Sequence, residues 1–190
     1  MNKHIFIHNP KTGGYTIRKQ AGIVSYVHDT ALKVKSYVPD YGDCFTFGFV
    51  RNPYDRFLSA YMFYKQMGPD HMFWRLEADK LTARAVGEYS TFQNFVKGFS
   101  EFKYKNRIHF LPQHHWFYAG DVCLVDYYGF FEKYDDCWRT ICGYIDRPYQ
   151  PLPRLNTSSH TFWQTYYDNV TRAIVYELYE QDFRLFPYNY

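Results

Sequence analysis

At 190 residues, with 46% hydrophobic and 23% aromatic residues, the chain suits one compact domain with a sizeable core. Its formal net charge of +3 comes without a cluster of Lys and Arg of the kind that binds nucleic acid, so we expect no nucleic-acid partner. No apolar run is as long as a membrane span or a signal-peptide core, so we expect a cytoplasmic protein without a membrane partner.

The first predicted elements have the layout of a phosphate-binding turn. Residues 4–8 (HIFIH) are β-branched and aromatic, which predicts a strand that ends at Asn9-Pro10. Residues 11–15 (KTGGY), here called the glycine loop, come next, and a helix is predicted from Thr16. This succession can point backbone N–H groups at a bound anion. The alternative is an ordinary strand-to-helix turn that binds nothing.

Strands and helices then alternate. The apolar patterns predict, in chain order, a strand at 23–27, a helix at 31–37, a strand at 45–50 and a helix at 54–67. His28 follows the first of these strands, and Asp29 or Thr30 can cap the helix after it. Three strands alternating with helices predict an α/β fold, a single P-loop-like domain over residues 1–190 with a central parallel sheet flanked by helices.

The rest of the chain is predicted to be mainly helical, with a less regular helical insertion in its middle. Helices are predicted near 73–77, 91–99, 109–118, 132–145 and 168–183, and short strands at 122–125 and 128–131. The polar run at 156–160 predicts a loop.

Lys11 gives the glycine loop its chemical character. A lysine supplies a point charge where negative charge moves during group transfer, and the Thr12 hydroxyl adds a hydrogen-bond donor. P-loop NTPases place the lysine after the glycines, whereas Lys11 precedes them. This order argues against a kinase or GTPase, although a P-loop phosphotransferase stays an alternative.

A second motif begins where the predicted strand at 45–50 ends. Arg51 comes at the carboxyl edge of the sheet, where open α/β sheets bind ligands. Ser59 lies about two turns into the following helix. An arginine fork and a hydroxyl suit a second phosphate group. The alternative is local pairing of Arg51 with Asp55.

Together the two motifs resemble those of the PAPS-dependent sulfotransferase superfamily, in the branch of carbohydrate sulfotransferases and heparan sulfate 2-O-sulfotransferase. The resemblance lies in FIHNPKTGGYT at 6–16, HDTA at 28–31, FTFGFVRNPYDRFLSAY at 45–61 and YELYEQDFRLFPY at 176–188, with weaker similarity at 126–136 and 152–159. Residues 65–105 match least. Tyr15 departs from the pattern, because relatives often have a small hydroxyl residue there.

The resemblance implies an enzyme that moves the sulfonate group of PAPS (3′-phosphoadenosine-5′-phosphosulfate) to an acceptor hydroxyl by in-line displacement, releasing PAP. A glycan is the expected acceptor partner. No metal is expected, and the four cysteines have no C-x-x-C spacing. A third alternative is a nucleotide- or glycan-binding module without turnover.

The resemblance also implies which residues hold the donor. The 5′-phosphosulfate would be held by Lys11, Thr12, Gly13, Gly14, Tyr15 and Thr16, the 3′-phosphate by Arg51 and Ser59, and the nucleotide by Thr157 and Ser158 with Arg154. Phe131 and Glu132 would lie near the adenine, and Asp182 and Phe183 would be structural.

The acceptor proton needs a base, and histidine titrates near neutral pH. His28 is the predicted base and acts beside Lys11 as the second catalytic residue, with Asp29 in reserve. His8 is expected to be buried at the end of the first strand. Three further histidines are expected at the acceptor cleft, namely His109, His114 and His115.

Overall fold

The computed structural model describes residues 3–20, 23, 25–26, 28–71, 76–153 and 162–188. The contacts divide the chain into two compact units: residues 1–52 with 112–157, and residues 53–111 with 158–190. No helix in these described ranges is both long enough and apolar enough to span a bilayer. That the whole chain is one domain stays a prediction.

The α-helices of the described residues are α1 (Gly14–Gln20), α2 (Ala31–Tyr37), α3 (Pro53–Met67), α4 (Glu77–Gly87), α5 (Phe92–Lys97), α6 (His114–Phe117), α7 (Tyr134–Tyr144), α8 (Asn169–Leu178) and α9 (Glu180–Leu185). The strands are β1 (His4–Ile7), β2 (Phe45–Val50), β3 (Tyr118–Ala119), β4 (Val122–Cys123) and β5 (Tyr127–Phe130). Short 3₁₀ turns cover Tyr41–Asp43, Phe99–Glu101, Phe131–Lys133 and Trp163–Tyr166.

The first unit contains a three-stranded parallel sheet in the order β1-β2-β5. Phe6 of β1 lies opposite Phe47 of β2, and Phe49 of β2 lies opposite Gly129 of β5. Both faces are covered, since Phe6, Phe47 and Phe49 are fully buried on one face and Ile7 is fully buried on the other, as is typical of parallel sheets. The predicted α/β fold with a parallel sheet flanked by helices is therefore confirmed.

The predicted strand at 23–27 is represented in the described residues by one parallel bridge between Ser25 and Phe6. Val24 and Val27 lie outside the described residues. The bridge sets this segment alongside β1. His28, three residues after Ser25, is thereby brought beside the end of β1.

Two of the predicted helices differ clearly in extent from those observed. Only His114–Phe117 is helical within 109–118, because Pro112 has no N–H to continue a helix begun at 109. The predicted helix at 168–183 divides into α8 and α9 at Tyr179, which is buried and donates its hydroxyl to the Phe110 carbonyl. The helix near 73–77 falls largely on residues outside the described ranges, and α4 was not predicted.

The second unit is the helical insertion together with the C-terminal helices, packed around aromatic rings. The Phe57 ring of α3 lies within 6.1 Å, centroid to centroid, of the rings of Phe92, Phe95, Phe99 and Phe110. Asp168 caps α8 by accepting from the Thr171 N–H, as a capping box does. This packing confirms that the middle of the chain is a helical insertion.

Candidate active site

The glycine loop connects β1 to α1 with a backbone that turns sharply. Lys11 and Gly13 both lie in the left-handed region, with φ values of 68° and 78°. Glycine adopts such values freely, whereas an L residue such as lysine does so at a cost in energy. Strained non-glycine residues are concentrated at functional sites, so the Lys11 backbone itself marks the loop as a candidate.

Three hydrogen bonds hold the loop in this shape. The Thr12 hydroxyl donates to the Asn9 carbonyl at 2.8 Å, and the Thr16 N–H donates to the Gly13 carbonyl at 3.0 Å. The Tyr134 hydroxyl, from α7, donates to the same Gly13 carbonyl at 2.9 Å. Thr12 is fully buried, so its hydroxyl, predicted to donate to a ligand, instead holds the loop through the Asn9 carbonyl.

Both glycines are required by close neighbours. A Cβ at Gly14 would lie 2.1 Å from Cδ2 of His8, and a Cβ at Gly13 would lie 3.0 Å from Cε2 of Tyr134. The loop backbone therefore packs directly on two rings. A phosphate or sulfonate group can approach a backbone closely only where the backbone is fixed and no side chain intervenes. Gly13 and Gly14 meet both conditions, so the loop fits such a group.

Tyr15 and Thr16 complete the predicted phosphosulfate residues. Thr16 is buried at the start of α1. The Tyr15 side chain is 40% exposed, and the Lys19 ammonium lies over its ring at 5.3 Å from the centroid. The side chain that departs from the family pattern thus faces solvent.

Arg51 brings a second positive charge to the loop. It follows β2 and is only 6% exposed, yet its guanidinium donates to the Lys11 carbonyl at 3.2 Å. The same group lies over the Phe131 ring, 4.3 Å from the centroid, in a cation–π contact. Arg51 and Lys11, predicted to serve different phosphates, are therefore directly connected.

Gln113 was not predicted from the sequence, although it holds two strand ends together. Its Oε1 accepts from Asn9 Nδ2 at 3.1 Å and from the Arg51 N–H at 2.9 Å, while its Nε2 donates to the Arg51 carbonyl at 2.7 Å. The side chain is fully buried. It lies 62 residues from Arg51 in the chain, so no local pattern signals this contact.

His28 has both a strained backbone and a defined tautomer. Its φ is 63°, and its carbonyl accepts from Trp116 Nε1 at 3.3 Å. Its Nδ1 lies 3.3 Å from the His8 carbonyl oxygen, which can only accept. Nδ1 therefore carries the proton, and Nε2 is the nitrogen with the basic lone pair.

His8 is buried at the end of the first strand, as predicted. Its ring lies 4.5 Å from the His28 ring and 5.5 Å from the Phe6 ring, centroid to centroid. Burial, together with the charges of His28 and Arg18, lowers the pKa of His8 to about 3. His8 is therefore neutral near neutral pH.

Asp29, the reserve base, is engaged elsewhere. Its carboxylate accepts from Lys33 Nζ at 2.7 Å and from the Tyr37 hydroxyl at 2.9 Å. The hydrogen bond from Lys33, with that from Tyr37, lowers the pKa of Asp29 below its usual range. A carboxylate stabilised in this way is a weaker base than His28. The α2 helix is capped by Thr30.

Ser59 and Glu132 are the remaining predicted donor residues that the structure describes. Ser59 is buried in α3 of the second unit, and Glu132 accepts from the Asn52 N–H at 2.7 Å. The Thr157, Ser158 and Arg154 predictions lie outside the described residues. Asp182 and Phe183 are buried in α9, in keeping with a structural role.

Of the histidines expected at the acceptor cleft, His114 and His115 open α6, and their rings meet edge to face at 4.5 Å. Nδ1 of His109, in the second unit, lies 2.7 Å from the Tyr64 hydroxyl. Their place at the cleft stays a prediction. Within the described residues no three His, Cys, Asp or Glu side chains form a group that could hold a metal ion.

The low pKa of His8 predicts acid sensitivity. Because its folded pKa of about 3 lies below the ordinary value of 6.5, the unfolded chain binds the extra proton first, and stability falls as pH drops from 6.5 toward 3. The loss amounts to at most about 1.4 kcal/mol per pH unit. Urea unfolding of wild type and His8→Phe at pH 6, 5 and 4 measures it. The variant should lose less stability, and parallel losses would contradict a buried neutral His8.

A parallel sheet whose first strand runs into a glycine loop, with a buried arginine after the next strand, is an α/β arrangement suited to binding an anion. The chain is a member of the sulfotransferase family: the family's sequence model matches residues 16–189, nearly the whole chain. Searches of curated proteins and of solved structures found no match. The predicted family and enzyme class are thus confirmed. The match begins at Thr16, so residues 11–15 rest on the geometry above.

Proposed function

We propose that the chain transfers the sulfonate group of PAPS to a hydroxyl group of a carbohydrate and releases PAP. Family membership supports sulfonate transfer in general. The observation that supports this donor is the direct contact between the buried Arg51 guanidinium and the Lys11 carbonyl of the glycine loop. Two cationic residues joined in this way suit a nucleotide with one anionic group at the 5′ position and another at the 3′ position.

In the proposed reaction the glycine loop binds and orients the donor. Backbone N–H groups of the loop donate to the phosphosulfate, and the rings of His8 and Tyr134 hold that backbone in place. The Lys11 ammonium stabilises the negative charge that builds on the oxygen between sulfur and the 5′-phosphate as their bond breaks. The motif resemblance supports Arg51 and Ser59 as ligands of the 3′-phosphate, and Thr157 and Ser158 as ligands of the nucleotide.

His28 is proposed to take the proton of the acceptor hydroxyl. The His8 carbonyl keeps the proton of the neutral imidazole on Nδ1, so Nε2 accepts the acceptor proton while the oxygen attacks sulfur. The similarity of the motifs to carbohydrate sulfotransferases supports a sugar hydroxyl as the acceptor. No metal ion is needed in this scheme.

The proposal is tested by incubating the protein with sulfonate-labelled PAPS and separate glycan, phenol and alcohol acceptors. The expected result is a labelled glycan and PAP in equal amounts. Label on a phenol or simple alcohol alone would overturn the carbohydrate part. Transfer of the γ-phosphate of ATP with Mg²⁺, and none from PAPS, would favour a phosphotransferase.

Arg51→Ala is expected mainly to raise the KM for PAPS, by about tenfold or more, because the 3′-phosphate lies far from sulfur and is bound alike in the ground and transition states. Ser59→Ala should act in the same direction with a smaller effect. Steady-state kinetics with adenosine 5′-phosphosulfate, which lacks the 3′-phosphate, provide the comparison. The KM for that donor should be nearly unchanged.

Since Arg51 also contacts the loop, the comparison separates two roles. Equal increases in KM for both donors would contradict the 3′-phosphate assignment and leave Arg51 as a support for the Lys11 backbone. Arg51→Lys keeps the charge without the fork and should recover only part of the affinity.

A further inference from the structure

We propose that His8 is a positioning residue: its ring, fixed between Gly14 and Phe6, sets the orientation of His28 relative to the glycine loop. The inference rests on the proposed role of His28 as the base. It assigns the buried His8 ring a second role beside its support of the loop backbone. In this proposal the donor site and the base are connected by the contact between the His8 and His28 rings. No hydrogen bond between the two side chains is involved.

The first observation is how closely the His8 ring approaches the loop. A Cβ on Gly14 would lie 2.1 Å from Cδ2 and 2.4 Å from Nε2 of His8. No side chain larger than hydrogen fits there, so the ring packs directly on the loop backbone. A displacement of the His8 ring would therefore also displace Gly14, the residue at which α1 begins.

The second observation is the stack of rings behind and beside His8. On one side Phe6, fully buried, lies 5.5 Å away at an interplanar angle of 23°. On another side His28 lies 4.5 Å away at 36°. The Phe6 backbone also forms the bridge to Ser25 that aligns the segment leading to His28. His8 thus occupies a fixed place from which it limits the rotation of the His28 ring.

The third observation is charge. Burial, together with the charges of His28 and Arg18, holds the pKa of His8 at about 3, so the ring is neutral during turnover. A neutral ring can stay stacked on His28 after His28 gains a proton, without repulsion between two cations. Nδ1 of His8 has no hydrogen-bond partner in the described part of the chain. The side chain therefore acts through its shape, and its backbone carbonyl selects the His28 tautomer.

The test compares His8→Ala with His8→Phe in steady-state kinetics. His8→Ala should lower kcat by about 10- to 10²-fold, since a misplaced catalytic group is costly, and should change the KM for PAPS by less than about threefold. His8→Phe restores a flat ring and should recover kcat to within about threefold of wild type. Circular dichroism melting and PAP affinity establish that each variant is folded.

Three results would overturn the inference: a folded His8→Ala with wild-type kcat, a His8→Ala whose KM for PAPS rises as much as its kcat falls, or a folded His8→Phe that is as slow as His8→Ala. His28→Ala, measured in the same assay, separates this from the proposed function. If His28→Ala is fully active, the base assignment itself is wrong. If His28→Ala is slow and His8→Ala is not, only the role of His8 is wrong.

A double-mutant comparison tests the packing without relying on activity. Gly14→Ala in the wild-type background forces a Cβ against the His8 ring and should lower the melting temperature. In the His8→Ala background the same Cβ has room, so the loss should be much smaller. Equal losses in the two backgrounds would contradict the contact on which the inference is built.

Discussion

Lys11→Ala is expected to lower kcat by about 10²–10³-fold, the usual effect of losing one electrostatic contact to a transition state. The affinity for PAP should fall much less, because the backbone N–H groups and Arg51 stay in place. Turnover of sulfonate-labelled PAPS and PAP binding, measured on the same preparation, give the two quantities. Near-wild-type turnover would remove Lys11 from the mechanism.

The backbone of Lys11 requires a matched control. Its φ of 68° is strained for Ala as well as for Lys, whereas Gly adopts it freely. Lys11→Gly and Lys11→Ala should therefore be equally slow if the ammonium is responsible, although they differ in stability. Lys19→Ala, which removes an exposed lysine of α1, should retain activity. Lys11→Arg should rescue little, because a fork does not reproduce a point charge in a tight loop.

His28→Ala is expected to lower kcat by about 10²–10⁴-fold and to leave PAP binding intact, since the base contacts only the acceptor proton. The kcat of the wild type should fall at acidic pH, because a protonated His28 cannot accept a proton. The kcat of the variant should lack this acidic decrease. The measurement is kcat against pH with saturating PAPS. A fully active His28→Ala with an unchanged profile would assign the proton to another group.

Asn is the matched replacement for His28, because it tolerates a positive φ and so keeps the backbone of this position. His28→Asn should be as slow as His28→Ala if the imidazole does the chemistry. An active His28→Asn beside a slow His28→Ala would instead assign the loss to the backbone. His4→Ala, at the start of β1, controls for the general loss of a histidine and should stay active.

The parts of the site predicted from sequence are those with a local signal. The β-branched and aromatic run at 4–8 and the apolar run at 45–50 located β1 and β2, and the KTGG sequence located the glycine loop between β1 and α1. Lys11 and His28 were both singled out from motifs. The structure adds that both have left-handed φ values. Among the non-glycine residues that the structure describes, Asp146 is the only other one with a positive φ.

The parts that were missed depend on long-range contacts. Gln113 connects Asn9 to Arg51, and Tyr134 reaches the Gly13 carbonyl from 121 residues away. No period or motif near either residue signals such a contact. His8 was expected to be buried, but its place between Gly14 and His28 follows from the register of the Ser25 bridge. Sequence patterns singled out the candidate reacting groups, whereas the residues that hold them in place required the fold.

Thermal unfolding with added nucleotides tests the central claim, a donor site for PAPS, most directly. PAP at about 100 times its Kd should stabilise the protein by about 2.7 kcal/mol, which raises the melting temperature by roughly 5–10 °C for a chain of this size. ATP with Mg²⁺ and AMP should each raise it much less, since neither has a 3′-phosphate for Arg51. A shift with ATP and Mg²⁺ equal to or larger than that with PAP would contradict the account.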